Sequence, residues 1–548
     1  MSPRARRLPG RVVRGSEFGL AIGLALWATV AQGEPLECTI DADAPGIPIS
    51  PLIYGSNHDI DGLLITAARR FGGNRLSAYN WEIDASNAGA DHLNMSDRWL
   101  LEGLLPLWWI RTSDKPPASG DDVPGATMRY FIEESGERRS YSLISVPIGP
   151  YVVADADGPI TETERAPSPR WLELDIASTD GTRTDPADDR VYLFEQARWL
   201  SDNCRAAGVE LGVGLDNEPG LWHETHPRAY TAPVGAREVV ERSRTAARTI
   251  RAAAPEAEIF GPGSWGVVGM SHLNDASGWR ESDEATHHPS FLGYYLEEMS
   301  RDAHEAGPPL LDVLDVHWYA ESETIENGGP RAIIHAPRSL YDEAYQEPTW
   351  IGTWFAHELP VLHRLKSLAA EYAPGTRIAI TEYDFRLGGQ IYGGLAQVDA
   401  LGAFGREGVY LAGYHAHAED APTEYIRAAF ELFLDCEGVA FGDLSLPVAG
   451  PDSEDCVVYA ARASASGRVH VIALNRSLEE PLDLRIRCER PRSLEPIRAW
   501  SLDRSGPIVR RGALPVPRTG GAVHATMPAL SAWHFVFETR DPADDVRE

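Results

Sequence analysis

The stretch Gly208 to Pro219, GVELGVGLDNEP, decides the reading of this chain. Val209, Leu211, Val213 and Leu215 are apolar, glycines stand between them, and the run stops on Asp216, Asn217 and Glu218 before Pro219 ends it. A short, β-branched, nearly continuous apolar run is how a strand buried on both faces looks. Its polar finish puts an amide and a carboxylate at the strand's carboxyl end.

Seven other segments have the same build. They are ISPLIYGSN (49–57), RRFGGNRLSAYN (69–80), YSLISVPIGPYVVAD (141–155), AEIFGPGSW (257–265), LLDVLDVHWYA (310–320), TRIAITEYDF (376–385) and GVYLAGYHAH (408–417). Helical patterns lie between them. Residues 190–207 place Phe194, Ala197, Leu200 and Cys204 on one stripe, and residues 235–254 place Val239, Ser243, Ala246 and Ile250 on another, ending before Pro255. Eight buried strands alternating with helices predict a (β/α)8 barrel over residues 49–440. After it the period changes to two. LDLRIRC (482–488) alternates strictly, and short strands separated by Gly, Ser and Pro continue to the end. This predicts an antiparallel β-sandwich over 441–540, to which residues 34–48 contribute a strand. The charged tail 541–548 reads as disordered.

The N-terminus has the pattern of an export signal. Arginines precede a short apolar stretch, Phe18 to Ala31, and Ala31-Gln32-Gly33 offers small residues for cleavage. Residues 1–33 are therefore expected to direct secretion or periplasmic export, and no second segment is apolar enough to span a bilayer. The formal net charge of −31 argues against nucleic acid or an anionic membrane as partner, since both are polyanions. Five cysteines are too few for a disulfide framework. Cys436 and Cys456, flanking a turn-rich stretch, are the pair expected to bridge if any does.

In such a barrel the chemistry sits at the carboxyl ends of the strands. Strand four supplies Asn217-Glu218 and strand seven Thr381-Glu382-Tyr383; strand six supplies His317-Trp318-Tyr319. Two glutamates facing each other across the mouth are what glycoside hydrolysis requires, one as acid for the leaving oxygen and one as anion for the anomeric carbon. Around them Asn217, His317, Tyr319, Asn80 and Arg75 suit sugar hydroxyls. Trp81, Trp222, Trp318, Tyr383 and Tyr414 suit the apolar faces of sugar rings. Arg75 and Tyr319 are the expected donors to an ionised Glu382, and Asp384 is its rival carboxylate. The His223-Glu-Thr-His226 string has its histidines three apart with Pro227 behind them, not the four-residue spacing of a helical zinc site. The expected chemistry needs no cofactor. It leaves room for a structural metal ion, for which no ligand set stands out.

Several blocks in chain order resemble glycoside hydrolase family 44: RFGGNRLSAYNWEIDASNAGADHLNMSD (70–97), GLDNEPGLWHETHP (214–227), FGPGSWG (260–266), LDVHWYAE (314–321) and ITEYDF (380–385). The resemblance implies a secreted bacterial endoglucanase or xyloglucanase, a TIM-like barrel joined to a β-sandwich, and a retaining mechanism. In it Glu218, of Asn-Glu-Pro, is the acid/base and Glu382, of Thr-Glu-Tyr, is the nucleophile. The expected substrate is a β-1,4-glucan or xyloglucan, cut within the chain. Two other readings share these residues: a β-mannanase or xylanase on the same frame, and a carbohydrate-binding barrel without catalysis. One departure stands out. Related barrels often close strand eight with a tryptophan, where this chain has Tyr414, His415 and His417.

Overall fold

Eight parallel strands close on themselves in the order β4-β5-β6-β7-β8-β1-β2-β3. They are β1 Gly55–Ser56, β2 Ala68–Phe71, β3 Tyr141–Val146, β4 Leu211–Leu215, β5 Glu258–Trp265, β6 Val313–Tyr319, β7 Arg377–Asp384 and β8 Leu411–Tyr414. The computed structural model describes residues 34–57, 67–98, 123–179, 189–274, 278–280, 282–301, 309–416, 423–451, 453–489, 492–517 and 521–540. The expected export signal of residues 1–33, Trp108-Trp109, His417 and the tail 541–548 lie outside the described residues.

Alternation along each strand sorts side chains between barrel interior and outer helices. Ala68, Tyr141, Leu143, Phe260, Val313, Ala379 and Leu411 form a small interior core. The glycines of β4 are explained by it. A Cβ on Gly212 would stand 2.5 Å from the Tyr141 hydroxyl oxygen and 2.9 Å from the Phe260 ring, so the aromatic filling of the barrel requires a bare backbone there. Leu211, Val213 and Leu215 face outward into the larger core beneath the helices.

The helices include α1 Ala126–Arg138, α2 Leu193–Ala207, α3 Ala236–Ala253, α4 Phe291–Ser300, α5 Val361–Tyr372, α6 Ile391–Glu407 and α7 Glu424–Leu434. On α3 the buried stripe is Val239, Ser243, Ala246 and Ile250, as its spacing predicts. On α2 it begins at Leu193 instead of Phe194, whose ring is half-buried under the Arg198 guanidinium. The α2 helix ends on Gly208 at φ +69°, a left-handed turn that glycine adopts without strain, and β4 follows.

The sandwich has a five-stranded and a seven-stranded sheet. Leu36–Ile40 pairs in parallel with Leu482–Cys488, which in turn pairs antiparallel with Val523–Met527. Leu484, Ile486 and Cys488 are buried between the sheets, and Asp483, Arg485 and Arg487 are more exposed. Barrel and sandwich belong to one unit beginning at Leu36. Their junction includes the buried ion pair of Arg476 with Asp399 on α6, and Asp399 also accepts from the Tyr459 and Tyr341 hydroxyls. Nearby, His470 and His534 face each other at 3.0 Å, and His534 Nδ1 meets the Leu432 carbonyl of α7 at the same distance.

Cys436 and Cys456, the pair left open as a bridge, are not joined. All five cysteines are free, and these two lie in different cores, Cys436 under the barrel and Cys456 between the sandwich sheets. Among the described residues, no helix is long and apolar enough to cross a membrane.

Candidate active site

Glu218, three residues past the end of β4, is buried, at φ +43°, its N–H donating to the Gly263 carbonyl at 3.0 Å. A non-glycine residue in this conformation costs of order 1–3 kcal/mol, and such strain gathers at functional sites. Asp216 holds the turn in place. It accepts from the Ile148 N–H at 2.7 Å, from the Asn217 N–H at 2.8 Å, from the Trp222 indole at 3.2 Å and from the Ser77 hydroxyl. Glu382 comes from β7, where the pairing with β6 slips between Val316 and His317, so that Glu382 stands beside His317. Thr381, the extra residue of β7 at the slip, donates to Asp315 at 2.9 Å.

The two glutamates meet around one imidazole. His317 Nδ1 is 2.7 Å from Glu218 Oε1 and 3.6 Å from Glu382 Oε2. One donor atom from each of the three residues lies within 4.8 Å of the others. Among the described residues this is the cluster compact enough to share a cation, but hydrogen bonds within the protein account for it. The Tyr319 hydroxyl donates to Glu382 Oε2 at 2.5 Å, and Arg70 donates to Glu382 Oε1. Arg70 also donates to Asn217 Oδ1 at 2.9 Å and to Asn57 Oδ1 at 3.2 Å. Asn217 Nδ2 in turn donates to Asn74 at 3.0 Å.

This environment drives the carboxyl groups apart. Burial pushes Glu218 above the ordinary carboxylate range, helped by the charge of Glu382 and opposed by His317. Burial would raise Glu382 as well, but His317 and Arg70, the Tyr319 phenol, and His415 when it carries a proton hold it well below that range. Burial depresses His317 and the two carboxylates more than compensate, so its net shift is upward. One proton-bearing and one ionised carboxyl across a small gap can perform both acid and nucleophilic or basic work.

The structure brings together Glu218, Glu382, Asn217, His317 and Tyr319, all at strand ends. It corrects Arg75. That residue sits on the 3-10 turn Asn74–Ala78 and pairs with Asp97 at 2.7 Å. The strand stops at Phe71, before Gly72-Gly73, and the arginine that reaches Glu382 is Arg70. Asn80 is corrected too: it is fully buried, its amide donating to the Val153 carbonyl at 2.8 Å. Five aromatics expected to face sugar are core residues. Trp81 packs on Trp199, Trp222 stacks on Tyr230, and the Trp318 indole donates to Ser339 at 3.2 Å. Tyr383 accepts from Gln397 at 2.7 Å and has Tyr414 at its edge. The physical cause is alternation: on β6, His317 and Tyr319 turn inward and Trp318 turns toward the helices. Asp384 is fully buried and accepts the Arg386 N–H at 2.9 Å. His226 is fully buried against the Asn87 carbonyl, and burial lowers its pKa to about 4.

Sequence reasoning misses Arg70 and Asn57, and it names His415 only as a departure at the end of strand eight, not as a neighbour of Glu382. The signal was present in ARRF: with Ala68 inside the barrel, period two turns Arg70 inward, while Arg69 turns out to the Phe131 carbonyl and Ser135 of α1. Two further rings lie on the mouth side. Trp265 ends β5 half-buried, and Trp354 is 73% exposed. The segment of Trp354 is tied to the mouth by Trp350, bonded to Glu321 beyond β6, and by Phe355, against His272 beyond β5.

The model of glycoside hydrolase family 44 matches residues 85–322. The chain is 36% identical over 529 residues to "Endoglucanase A" of Paenibacillus lautus, covering 93% of this chain and 73% of that protein. It is 35% identical over 483 residues to "Beta-mannanase/endoglucanase A" of Caldicellulosiruptor saccharolyticus, covering 82% of this chain and 35% of that much longer one. Among solved structures, the family 44 xyloglucanase of Paenibacillus polymyxa, with xyloglucan, superposes with a TM-score of 0.84 at 33% identity, over 92% of this chain and 99% of the other.

Proposed function

Because the chain belongs to glycoside hydrolase family 44 and is a glycoside hydrolase acting on β-glucans, we propose that it is a retaining endo-β-1,4-glucanase, working on xyloglucan or cellulose-like chains. In this reading Glu382 is the nucleophile and Glu218 the acid/base. The observation that carries it is the spacing: donor oxygens of the two carboxyls lie within 4.8 Å. A retaining site holds its carboxyls about 5–5.5 Å apart, whereas an inverting one needs roughly 6.5–9.5 Å to admit a water between acid and base.

In the first step a Glu382 oxygen bonds to the anomeric carbon as the glycosidic C–O bond breaks, and the Glu218 proton passes to the departing sugar oxygen. The charge of Glu382 is then consumed in the ester. One cause of Glu218's raised pKa disappears with it, so Glu218 becomes the base its second role needs. It takes a proton from water, the water oxygen bonds to the anomeric carbon, and Glu382 leaves as carboxylate. Two inversions give net retention. Asn217, held by Arg70 and Asn74, is placed to meet the hydroxyl next to the reacting carbon. The exposed Trp354 and the half-buried Trp265 are the rings we assign to stacking along the chain. The basic, apolar and small-residue order of residues 1–33 supports secretion or periplasmic export.

A 2-fluoro cellobioside that traps the intermediate tests this directly. Peptide mapping should find the label on Glu382, and NMR should show the β-anomer as first product. Label on Asp384, or an α-anomer, would overturn the mechanism. Viscosity and reducing-end release on glucan, xyloglucan, mannan and xylan then rank the substrates.

A further inference from the structure

At the end of β8, where related barrels often carry tryptophan, His415 stands beside the nucleophile, with its N–H donating to the Tyr383 carbonyl at 3.0 Å. Its Nδ1 meets the side-chain amide of Asn57 and lies 3.7 Å from Glu382 Oε2. Hydrogen-bond polarity fixes the state of this ring. Arg70 has only donors, and its Nη1 faces Asn57 Oδ1 at 3.2 Å, so the Asn57 amide is oriented with its oxygen toward Arg70. Asn57 Nδ2 is therefore the atom presented to His415, and it can only donate. His415 Nδ1 must accept, which makes the ring neutral with its proton on Nε2.

A proton added at Nδ1 would set two donors against each other. The group at that edge able to receive it is Glu382 Oε2. Among the described residues, the charged groups around the ring leave the same choice. Arg70 on β2 repels it, and His317 on β6 already shares that Glu382 oxygen at 3.6 Å. Tyr319 donates to the same oxygen, and Glu218 beyond β4 is bonded to His317. The His415 side chain is 25% exposed and so open to solvent protons, whereas His317 is fully buried.

We propose that His415 is a positioning residue held neutral by the Arg70–Asn57 relay, and that its protonation switches the enzyme off on the acid side by binding the nucleophile and breaking the relay. This rests on Glu382 being the nucleophile. The proton acts by turning an acceptor into a cationic donor: Glu382 loses the lone pair it attacks with, and Arg70 loses a partner that keeps it aimed.

The test is kcat/KM against pH on 2,4-dinitrophenyl β-cellobioside, whose leaving group needs no proton, for wild type, H415N and H415A. Asparagine keeps an acceptor for Asn57 but does not titrate. The acid limb should move down by about one pH unit or more in both variants, and the plateau should fall less in H415N than in H415A. An acid limb that superimposes on wild type in H415N, whatever the plateau, would overturn the proposal; so would a uniform loss at every pH, the mark of a merely structural role. If H415A fails to fold, H415N alone decides. Fluoro-sugar trapping in wild type and H415N at plateau pH separates the two levels. Label on Glu382 with an unmoved limb removes the role of His415 alone, while absence of label removes the nucleophile itself.

Discussion

Replacing Glu218 by glutamine removes a proton and little else. The amide oxygen can still accept from His317 Nδ1, the contact that measures 2.7 Å in the native protein, and the buried site gains no new charge. What is lost is the acid in step one and the base in step two. On polysaccharide, whose leaving group is an unactivated alcohol, general-acid assistance is worth about 10²–10⁴ in rate, or roughly 3–5 kcal/mol of barrier. On dinitrophenyl cellobioside the first step needs no acid and should stay within about tenfold of wild type, while the second still lacks its base. The ester must then accumulate. Stopped-flow absorbance should show a burst of nitrophenolate near one equivalent per enzyme, followed by a slow steady state that azide accelerates. The native profile should also have a basic limb, because a carboxyl raised by burial and by Glu382 loses its proton as pH climbs through the raised value. That limb should appear on polysaccharide and be absent from kcat/KM on the aryl substrate, whose leaving group needs no proton. Equal losses on both substrates with no burst would refute the assignment.

R70M leaves a buried carboxylate and two amide oxygens without their donor, and should cost about 3–5 kcal/mol in urea unfolding at neutral pH. Adding E382Q should recover much of that loss, and a double variant no more stable than R70M would contradict the buried-pair account. W354A should raise KM on xyloglucan or long glucans several-fold while leaving cellobioside kinetics nearly unchanged; equal effects on both would take Trp354 off the cleft. Burial lowers His470 to about 4 and His534 to about 3, both below the ordinary 6.5. The unfolded chain therefore takes up protons that the folded one refuses, and stability should fall as pH drops from about 6.5 toward 4. H470Q should flatten that slope in melting temperature against pH, and an unchanged slope would place the acid sensitivity elsewhere.

The barrel was legible because each strand buried on both faces reads as an apolar run, and its polar finish marks the mouth. The glutamate pair was legible for the same reason: Glu218 and Glu382 stand where two runs end. What failed was the sorting of side chains around those ends. Gly72-Gly73 hid the end of β2, so the search for a cation went to Arg75 when the strand's own alternation points Arg70 inward. The aromatics failed differently. A tryptophan that fills space beneath a helix and one that stacks on sugar have the same chemistry, and only position separates Trp318 from Trp354. Strict alternation also put Asp384 on the face of Glu382, but Asp384 is fully buried and its carboxylate is taken up by the Arg386 N–H. A hydrogen-bond relay such as Arg70–Asn57–His415 joins three strands, and no local pattern announces it.

The parallel pairing of Leu36–Ile40 with Leu482–Cys488 sets an order of events. Glu37 meets Arg485 from 448 residues away. Contacts that span such a separation form late, because the loop between must close first. The first strand to emerge therefore waits, its edge unpaired, while the whole barrel is made and shut between it and its partner. Docking that strand comes late in assembly, and an unpaired edge is a template for other chains until then. Charges mark the native pairing: Glu37 lies in the waiting strand and Arg485 and Arg487 in the arriving one, and they pair across the seam. Reversing Glu37 to lysine should show itself less in the finished enzyme than in the yield of refolding at high protein concentration.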